Sequence, residues 1–153
     1  MEFIRNELQE TIRSSAVDFA QNYLKPRVEE IETAEQFPED LFHIMADMGF
    51  LSLSYPESYG GLGAGYLTLS MVLEEIARVS PSAATLLTVC LLPLDAIHLF
   101  GTEAQKQKYL TAAVEGKIGA FALTEAGAGS DAAAAKTKAV VDGDDYVING
   151  SKC

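Results

Sequence analysis

Cysteine and histidine are scarce in this chain, which has two of each among its 153 residues. Cys90 lies in an apolar segment and Cys153 is at the end, so the spacing of a disulfide framework or a metal-binding cysteine pair is absent. His43 and His98 stand alone in helical patterns, and Asp95 with His98 is too small a set for a metal site. We therefore expect free thiols, structural histidines and no metal.

Positive charge is also scarce. Eleven Lys and Arg residues stand against 22 Asp and Glu residues, which gives a formal net charge of −11. A basic groove for nucleic acid or for an anionic membrane surface needs clustered positive charge. We expect no nucleic-acid partner.

Long hydrophobic runs are missing as well. The most apolar stretch, residues 83–100, is interrupted by Thr85, Thr88, Pro93, Asp95 and His98. This pattern favours a buried helix and no membrane span, and Pro93 is expected to kink it. The first seven residues resemble neither a secretory leader nor an organelle presequence, which predicts a cytoplasmic protein.

Apolar residues at spacings of three and four predict helices through most of the chain. One runs from residue 3 to about 32 and is ended or restarted by Pro26, and another follows Pro38 and stops at Gly49. A third covers about residues 67–79, with Glu74 and Glu75 on a solvated face. The Ser80-Pro81 pair starts a fourth, and a capping-box pattern from Thr102 to Gln105 starts a fifth.

The pattern changes after Lys117. Short β-prone runs cover Ile118 to Leu123, Thr137 to Val141 and Tyr146 to Ile148, and the intervening Asp142-Gly143-Asp144-Asp145 predicts a hairpin turn. The predicted fold class is mainly α. A helical domain over residues 1–116 passes into the beginning of a β domain over residues 117–153.

Residues 121–131 carry the strongest functional signal. An apolar run leads into a segment with two glycines and the hydroxyl groups of Thr124 and Ser130. Such a transition exposes backbone N–H groups and hydroxyls, which suits the polar edge of a flavin or a phosphate. A structural turn at a β edge is the alternative, because Gly127 and Gly129 lack the third glycine of the dinucleotide fingerprint.

The loop at residues 60–65 is also rich in glycine, but no Gly-Lys-Ser/Thr follows it and no convincing strand precedes it. These features argue against a phosphate-binding P-loop, and we expect a flexible loop near a ligand pocket.

Several motifs in one order resemble the acyl-CoA dehydrogenase family. They are Phe37-Pro38, Met48-Gly49-Phe50-Leu51, Pro56-Glu57-Ser58-Tyr59-Gly60-Gly61-Leu62-Gly63, Glu74-Glu75-Ile76-Ala77-Arg78, Phe100-Gly101-Thr102-Glu103-Ala104-Gln105-Lys106, the loop at 121–131, and the hairpin ending in Tyr146-Val147-Ile148-Asn149-Gly150. The fold expected from this resemblance is a helical N-terminal domain running into the first strands of a β-barrel domain. A C-terminal helical bundle follows in the family.

The resemblance implies an FAD enzyme that oxidises an acyl-CoA thioester to its α,β-unsaturated form. An electron-transfer flavoprotein or similar acceptor and a homotetramer are also implied. Residues carried over as FAD contacts are Phe121, Leu123, Thr124, Gly129 and Ser130, and Ser130 would also lie beside the substrate. The helix around Thr88 to Leu94 corresponds to one that borders the acyl pocket.

Two departures from the family pattern qualify this reading. Ala126 stands where the family usually has proline, which should loosen the loop without removing a hydrogen-bond donor. The sequence ends where the family continues into a Trp-Ile-Thr segment beside the flavin. The family's catalytic glutamate lies farther on, so no residue here is assigned as the catalytic base.

Two alternatives remain open from the sequence. A related flavoprotein, such as a monooxygenase or a nitroalkane oxidase, would use the same loop. A non-catalytic helical module that binds a partner is the other.

Overall fold

A computed structural model describes residues 4–34 and 36–153 and divides the chain into two compact units, Met1–Ala120 and Phe121–Cys153. The first unit is helical and the second contains a short two-stranded sheet, so the prediction of a mainly α chain entering a β domain is confirmed. The domain boundary placed between residues 116 and 117 stays a prediction. The expected helix start at Phe3 lies outside the described residues.

The N-terminal helical segment changes its hydrogen bonding without leaving helical geometry. Helix α1 (Glu7–Phe19) passes into a π-helical turn (Ala20–Leu24), a 3₁₀ turn (Lys25–Arg27) and α2 (Val28–Thr33). Pro26 has no N–H to continue the α-helical ladder, and the change of helix type occurs next to it.

A capping box that the sequence analysis missed begins α1. Asn6 Oδ1 accepts the Gln9 N–H at 2.8 Å, and Gln9 Oε1 accepts the Asn6 N–H at 3.0 Å.

Four further helices lie close to the predicted positions, although the helix predicted at about residues 67–79 begins and ends two residues earlier. They are α3 (Glu39–Asp47), α4 (Gly65–Ala77), α5 (Pro81–Phe100) and α6 (Glu103–Val114). Ser80 caps α5 by accepting the Ala83 N–H, and Thr102 and Gln105 form the predicted capping box of α6. Gly49 follows α3 with a φ of 75°, a conformation that ends helices and that glycine adopts without strain.

The core of the helical unit forms where α1 packs on α4, α4 on α5, and α5 on α6. Phe19 stacks on Tyr23 at 5.5 Å between ring centroids and meets the edge of Phe50 at 5.8 Å. The largest fully buried side chains are Tyr55, Phe42, Phe50, Leu24, Leu41, Met45, Leu51, Leu53, Ile76, Leu87, Leu110 and Val72.

Helix α5 is long and apolar enough to cross a membrane by length and composition alone. It nevertheless contributes seven buried residues to the core of the helical unit, and core helices of this kind pass the same test. Pro93 lies inside α5, and the helix continues through it to Phe100.

The glycine-rich loop before α4 is held by backbone hydrogen bonds, contrary to the expected flexibility. Gly61 N–H donates to Pro56 O at 3.1 Å and Gly63 N–H to Tyr55 O at 2.8 Å. Leu62 and Ala64 donate to the carbonyls of Ser52 and Leu53. The loop is therefore a fixed part of the helical unit.

Glu75 differs from the solvated position expected for it. Its side chain is 15% exposed and accepts a hydrogen bond from Arg13 Nη1 at 2.9 Å, which joins α4 to α1. Arg78 Nε lies 3.6 Å from the second carboxylate oxygen, Oε2. The neighbouring Glu74 is exposed, as predicted, because adjacent residues of a helix point about 100° apart.

Glu32 links α2 to the start of α5. Its carboxylate accepts hydrogen bonds from Ser82 Oγ at 2.6 Å and Ser80 Oγ at 3.0 Å. The Ser82 hydroxyl, followed by that of Ser80, lowers the pKa of Glu32 below its usual range. Because folding lowers this pKa, the resulting stability is present above the unfolded value of about 4.3 and is lost as the pH falls through the folded value.

We expect Glu32→Gln to lower the unfolding midpoint at pH 7, with a difference from the wild type that shrinks on acidification below about pH 4. Thermal unfolding monitored across this range provides the measurement. Glu29→Gln, an exposed change on the same helix, serves as the control. A Glu32→Gln midpoint equal to the wild-type value at pH 7 would refute the assignment.

The second unit contains an antiparallel hairpin of β1 (Lys138–Asp142) and β2 (Asp145–Asn149). Its two-residue turn holds Gly143 at a φ of 63°, as the hairpin signal predicts. The strands pair from Lys138 with Asn149 to Asp142 with Asp145, and both are exposed along their length.

Candidate functional site

Residues 118–123, before the turn of the candidate loop, form neither a helix nor a strand. Ile118 to Leu123 was expected to be a β run, and this prediction is wrong for the described structure. A strand needs a hydrogen-bonded neighbour. The hydrogen bonds made here run to the end of the described chain, from Lys152 Nζ to Leu123 O and from the Cys153 N–H to Thr124 O, both at 2.9 Å.

The loop itself closes through a tight turn. Glu125 N–H donates to Ala128 O at 2.9 Å, and Ala128 N–H donates back to Glu125 O at 3.0 Å. A methyl group added at Gly127 or Gly129 would have no atom within 4 Å, so both glycines border open space. The turn leaves room for a ligand to approach its backbone.

The five residues predicted to contact FAD lie on this loop. Phe121 and Leu123 are 48% and 46% exposed, and Thr124, Gly129 and Ser130 are also exposed. Among residues 4–34 and 36–153, no group forms a hydrogen bond with the hydroxyl of Thr124 or Ser130. These hydroxyls are therefore available to a ligand, and their contact with FAD stays a prediction.

Glu125 is the functional candidate that the sequence analysis missed. Its carboxylate accepts the backbone N–H groups of Lys136 at 2.7 Å and Thr137 at 3.0 Å, and Lys152 Nζ at 2.9 Å. The Glu125 side chain is only 10% exposed. This carboxylate therefore links the loop to Lys136 and Thr137, which directly precede β1, and to Lys152, which follows β2.

These contacts keep Glu125 ionised. The Thr137 hydroxyl, the two backbone N–H groups and Lys152 hold the pKa of Glu125 well below its usual range. The Thr137 Oγ1 atom is buried and makes no hydrogen bond of normal geometry within the described residues. The hydrogen bonds of normal geometry to the carboxylate come from the two N–H groups and the ammonium.

A cavity of about 320 Å³ lies beside this carboxylate. It is lined by Glu125, Ala126, Gly127, Ala134, Lys136, Thr137, Gly150 and Ser151. Ala126 is exposed, and unlike the family's proline it carries a backbone N–H. The reciprocal bonds between Glu125 and Ala128 close the turn without proline. The loosening of the loop expected from this alanine stays a prediction.

A second cavity, of about 470 Å³, lies between α4 and α5 in the helical unit. Its lining includes Ser70, Leu73, Thr85, Thr88 and Val89 and is largely apolar. Thr88 and Val89 belong to the stretch expected to border an acyl pocket. The role of this groove in ligand binding stays a prediction.

Three other candidates from the sequence, Asp95, His98 and Cys90, lie in the helical unit. Asp95 Oδ1 accepts the hydroxyls of Tyr55 at 2.9 Å and Tyr66 at 3.0 Å, and His98 meets the Tyr55 ring edge-on. Cys90 is buried, and burial raises the pKa of its thiol, as expected for an inert cysteine. Within the described ranges, no three His, Cys, Asp or Glu side chains are grouped as metal ligands are.

The helices, the glycine-rich loop and the anchored turn together have known counterparts. A family model described as the N-terminal domain of acyl-CoA dehydrogenase matches residues 6–117. The chain belongs to the acyl-CoA dehydrogenase family, which confirms the resemblance seen in its motifs.

Individual relatives agree with this assignment. The chain is 38% identical to acryloyl-CoA reductase (NADH) of Anaerotignum propionicum, over 100% of its own length and 40% of that protein. The butyryl-CoA dehydrogenase structure from Megasphaera elsdenii matches with a TM-score of 0.90 and 35% identity, over 99% of this chain and 41% of that one. An acyl-CoA dehydrogenase complexed with FAD from Bacillus anthracis matches with a TM-score of 0.86 and 34% identity, over 97% and 26%.

The chain spans about two fifths of the length of the curated relatives it matches.

Proposed function

We propose that the protein to which this chain belongs is an FAD-dependent acyl-CoA dehydrogenase that forms the α,β-double bond of an acyl-CoA thioester. One observation carries the proposal. The loop presents free hydroxyls at Thr124 and Ser130 and glycine backbone beside open space. The Glu125 carboxylate holds the loop by accepting the N–H groups of Lys136 and Thr137. This donor set is neutral and polar, which suits the edge of a flavin ring.

The loop residues have distinct roles in this proposal. Thr124 and Ser130 offer hydroxyls to the flavin, Gly129 allows close backbone approach, and Phe121 and Leu123 contribute apolar surface. Ser130 also lies beside the thioester. Bound FAD supplies the hydride-accepting chemistry, and the residues of this chain hold and orient it.

The substrate class is an acyl-CoA, and the apolar groove between α4 and α5 is a candidate site for the acyl chain. An electron-transfer flavoprotein or a similar acceptor is the proposed redox partner. Homotetramer assembly, a cytoplasmic location and the absence of a nucleic-acid partner complete the proposal. The base that removes the α-proton is not assigned to any residue of this chain.

Reduction of an α,β-unsaturated acyl-CoA is a second candidate, favoured by the similarity to acryloyl-CoA reductase (NADH). The same loop would hold the flavin in either direction. Oxidation of NADH that depends on an enoyl-CoA would support the reductase. Reduction of a dye acceptor that depends on a saturated acyl-CoA would support the dehydrogenase.

We expect Thr124→Val in the full-length protein to weaken FAD binding by about tenfold. Valine keeps the shape of the side chain but removes the hydroxyl proposed to face the ligand. Equilibrium dialysis against FAD measures the effect. Ser14→Ala, an exposed change on α1, is the control and should bind FAD like the wild type. Equal affinity of Thr124→Val and the wild type would remove Thr124 from the flavin site.

A further inference from the structure

We propose that Glu125 and Lys152 form a clasp that positions Thr124 for the flavin. This inference rests on the proposed function and assigns roles to two residues beyond the predicted FAD contacts. Both are positioning residues, since they act through the loop and not on the reacting atoms.

The anchors converge on the residues around Thr124. Lys152 Nζ donates to Leu123 O at 2.9 Å, one residue before it, and to Glu125 Oε1 at 2.9 Å, one residue after it. The carbonyl of Thr124 itself accepts the Cys153 N–H. The backbone is therefore held on both sides of Thr124, while its hydroxyl remains free within the described part of the chain.

Glu125 also connects both predicted hydroxyl donors. Its backbone closes the turn with Ala128, and Gly129 and Ser130 follow directly. Its carboxylate meanwhile holds the N–H groups of Lys136 and Thr137 from the entrance of β1. One side chain thus fixes the orientation of the loop relative to the hairpin.

Burial and charge balance make this clasp stronger than an ordinary surface ion pair. The Glu125 and Lys152 side chains are 10% and 27% exposed, so solvent screens them less than a fully exposed pair. The carboxylate receives two backbone N–H groups in addition to the ammonium, and hydrogen bonds to charged groups are the stronger class. The ammonium compensates the carboxylate, so the pair adds no net charge beside the flavin.

Four variants of the full-length flavoprotein test the clasp: Glu125→Gln, Lys152→Met, their combination, and Lys152→Arg. We expect each of the first two to raise the Kd for FAD by about tenfold, the usual effect of losing a hydrogen bond to a charged group. The double variant should bind FAD no more weakly than the weaker-binding single variant, because both changes break the same pair of contacts. Lys152→Arg keeps the charge and should restore most of the affinity.

Two further measurements separate positioning from general destabilisation. Hydrogen exchange in the flavin-free protein should show faster exchange of the Lys136 and Thr137 amides in Glu125→Gln. In the loaded enzyme, kcat should fall by a larger factor than KM for the acyl-CoA rises, because the clasp acts on the flavin loop and reaches the thioester only through Ser130. Glu30→Gln breaks an exposed ion pair with Arg27 and should change none of these quantities.

The outcomes distinguish this inference from the proposed function. A wild-type protein that binds no flavin would refute the proposed function, while amide exchange would still report on the clasp. A wild-type protein that binds FAD, with unchanged affinity in Glu125→Gln and Lys152→Met, would overturn the clasp alone. Additive effects in the double variant would also overturn it, since independent contacts add.

Discussion

Replacing Gly61 by alanine is expected to destabilise the helical unit by about 3 kcal/mol, at the upper end of the cost of overpacking. The new Cβ would lie 2.1 Å from Tyr55 O and 2.5 Å from Tyr55 C. Both atoms belong to the backbone, so no side-chain rotation relieves the contact. The chain must move, and Tyr55 is fully buried with its hydroxyl bonded to Asp95.

The movement would also break the bonds that fix this loop. Gly61 N–H donates to Pro56 O, and the Tyr55 carbonyl that clashes is the acceptor of the Gly63 N–H. Urea unfolding of Gly61→Ala and of the wild type measures the loss of stability. Gly127→Ala is the matched control, since an added methyl there has no atom within 4 Å. A Gly61→Ala midpoint equal to that of Gly127→Ala would contradict the close packing.

Gly150→Ala is expected to disturb the flavin loop without touching it. The added Cβ would lie 2.1 Å from Thr137 Oγ1, 2.6 Å from its Cβ and 2.7 Å from its Cγ2. Threonine is branched at Cβ and stiff, so the residue must shift as a whole. Thr137 N–H is a donor to Glu125, and its displacement opens the clasp.

The expected cost of this overpacking is about 2 kcal/mol, which corresponds to about thirtyfold weaker FAD binding if the loop must re-form on binding. Calorimetric titration of the full-length protein with FAD measures it. The double variant Gly150→Ala/Thr137→Gly removes all three clashing atoms and keeps the Thr137-position N–H, so it should bind FAD more tightly than Gly150→Ala. Failure of this compensation would show that Gly150 acts through another contact.

The helices were predictable because their signals are local. Ser80 and Thr102 mark helix starts through patterns that span only three or four residues. Gly49 ends a helix because glycine adopts a positive φ without strain. The hairpin turn at Gly143 is equally local. The Asn6 capping box is local too, but the apolar periodicity begins at Phe3 in the sequence and so does not mark Asn6 as the helix start.

The clasp was not predictable in the same way. Glu125 meets Lys136, Thr137 and Lys152 across separations of 11, 12 and 27 residues. Two of these contacts use backbone N–H groups, which every residue except proline carries, so side-chain identity gives no signal. Glu75 was misplaced for a related reason, since its partner Arg13 is 62 residues away.

Anaerobic addition of acyl-CoA substrates to the purified full-length protein tests the central claim most directly. We expect the protein to show the visible absorption of bound flavin, and a saturated acyl-CoA should bleach this absorption. Addition of an electron acceptor should then restore the absorption. A correctly folded protein that binds no flavin, or whose bound flavin is bleached by no saturated acyl-CoA, would contradict it.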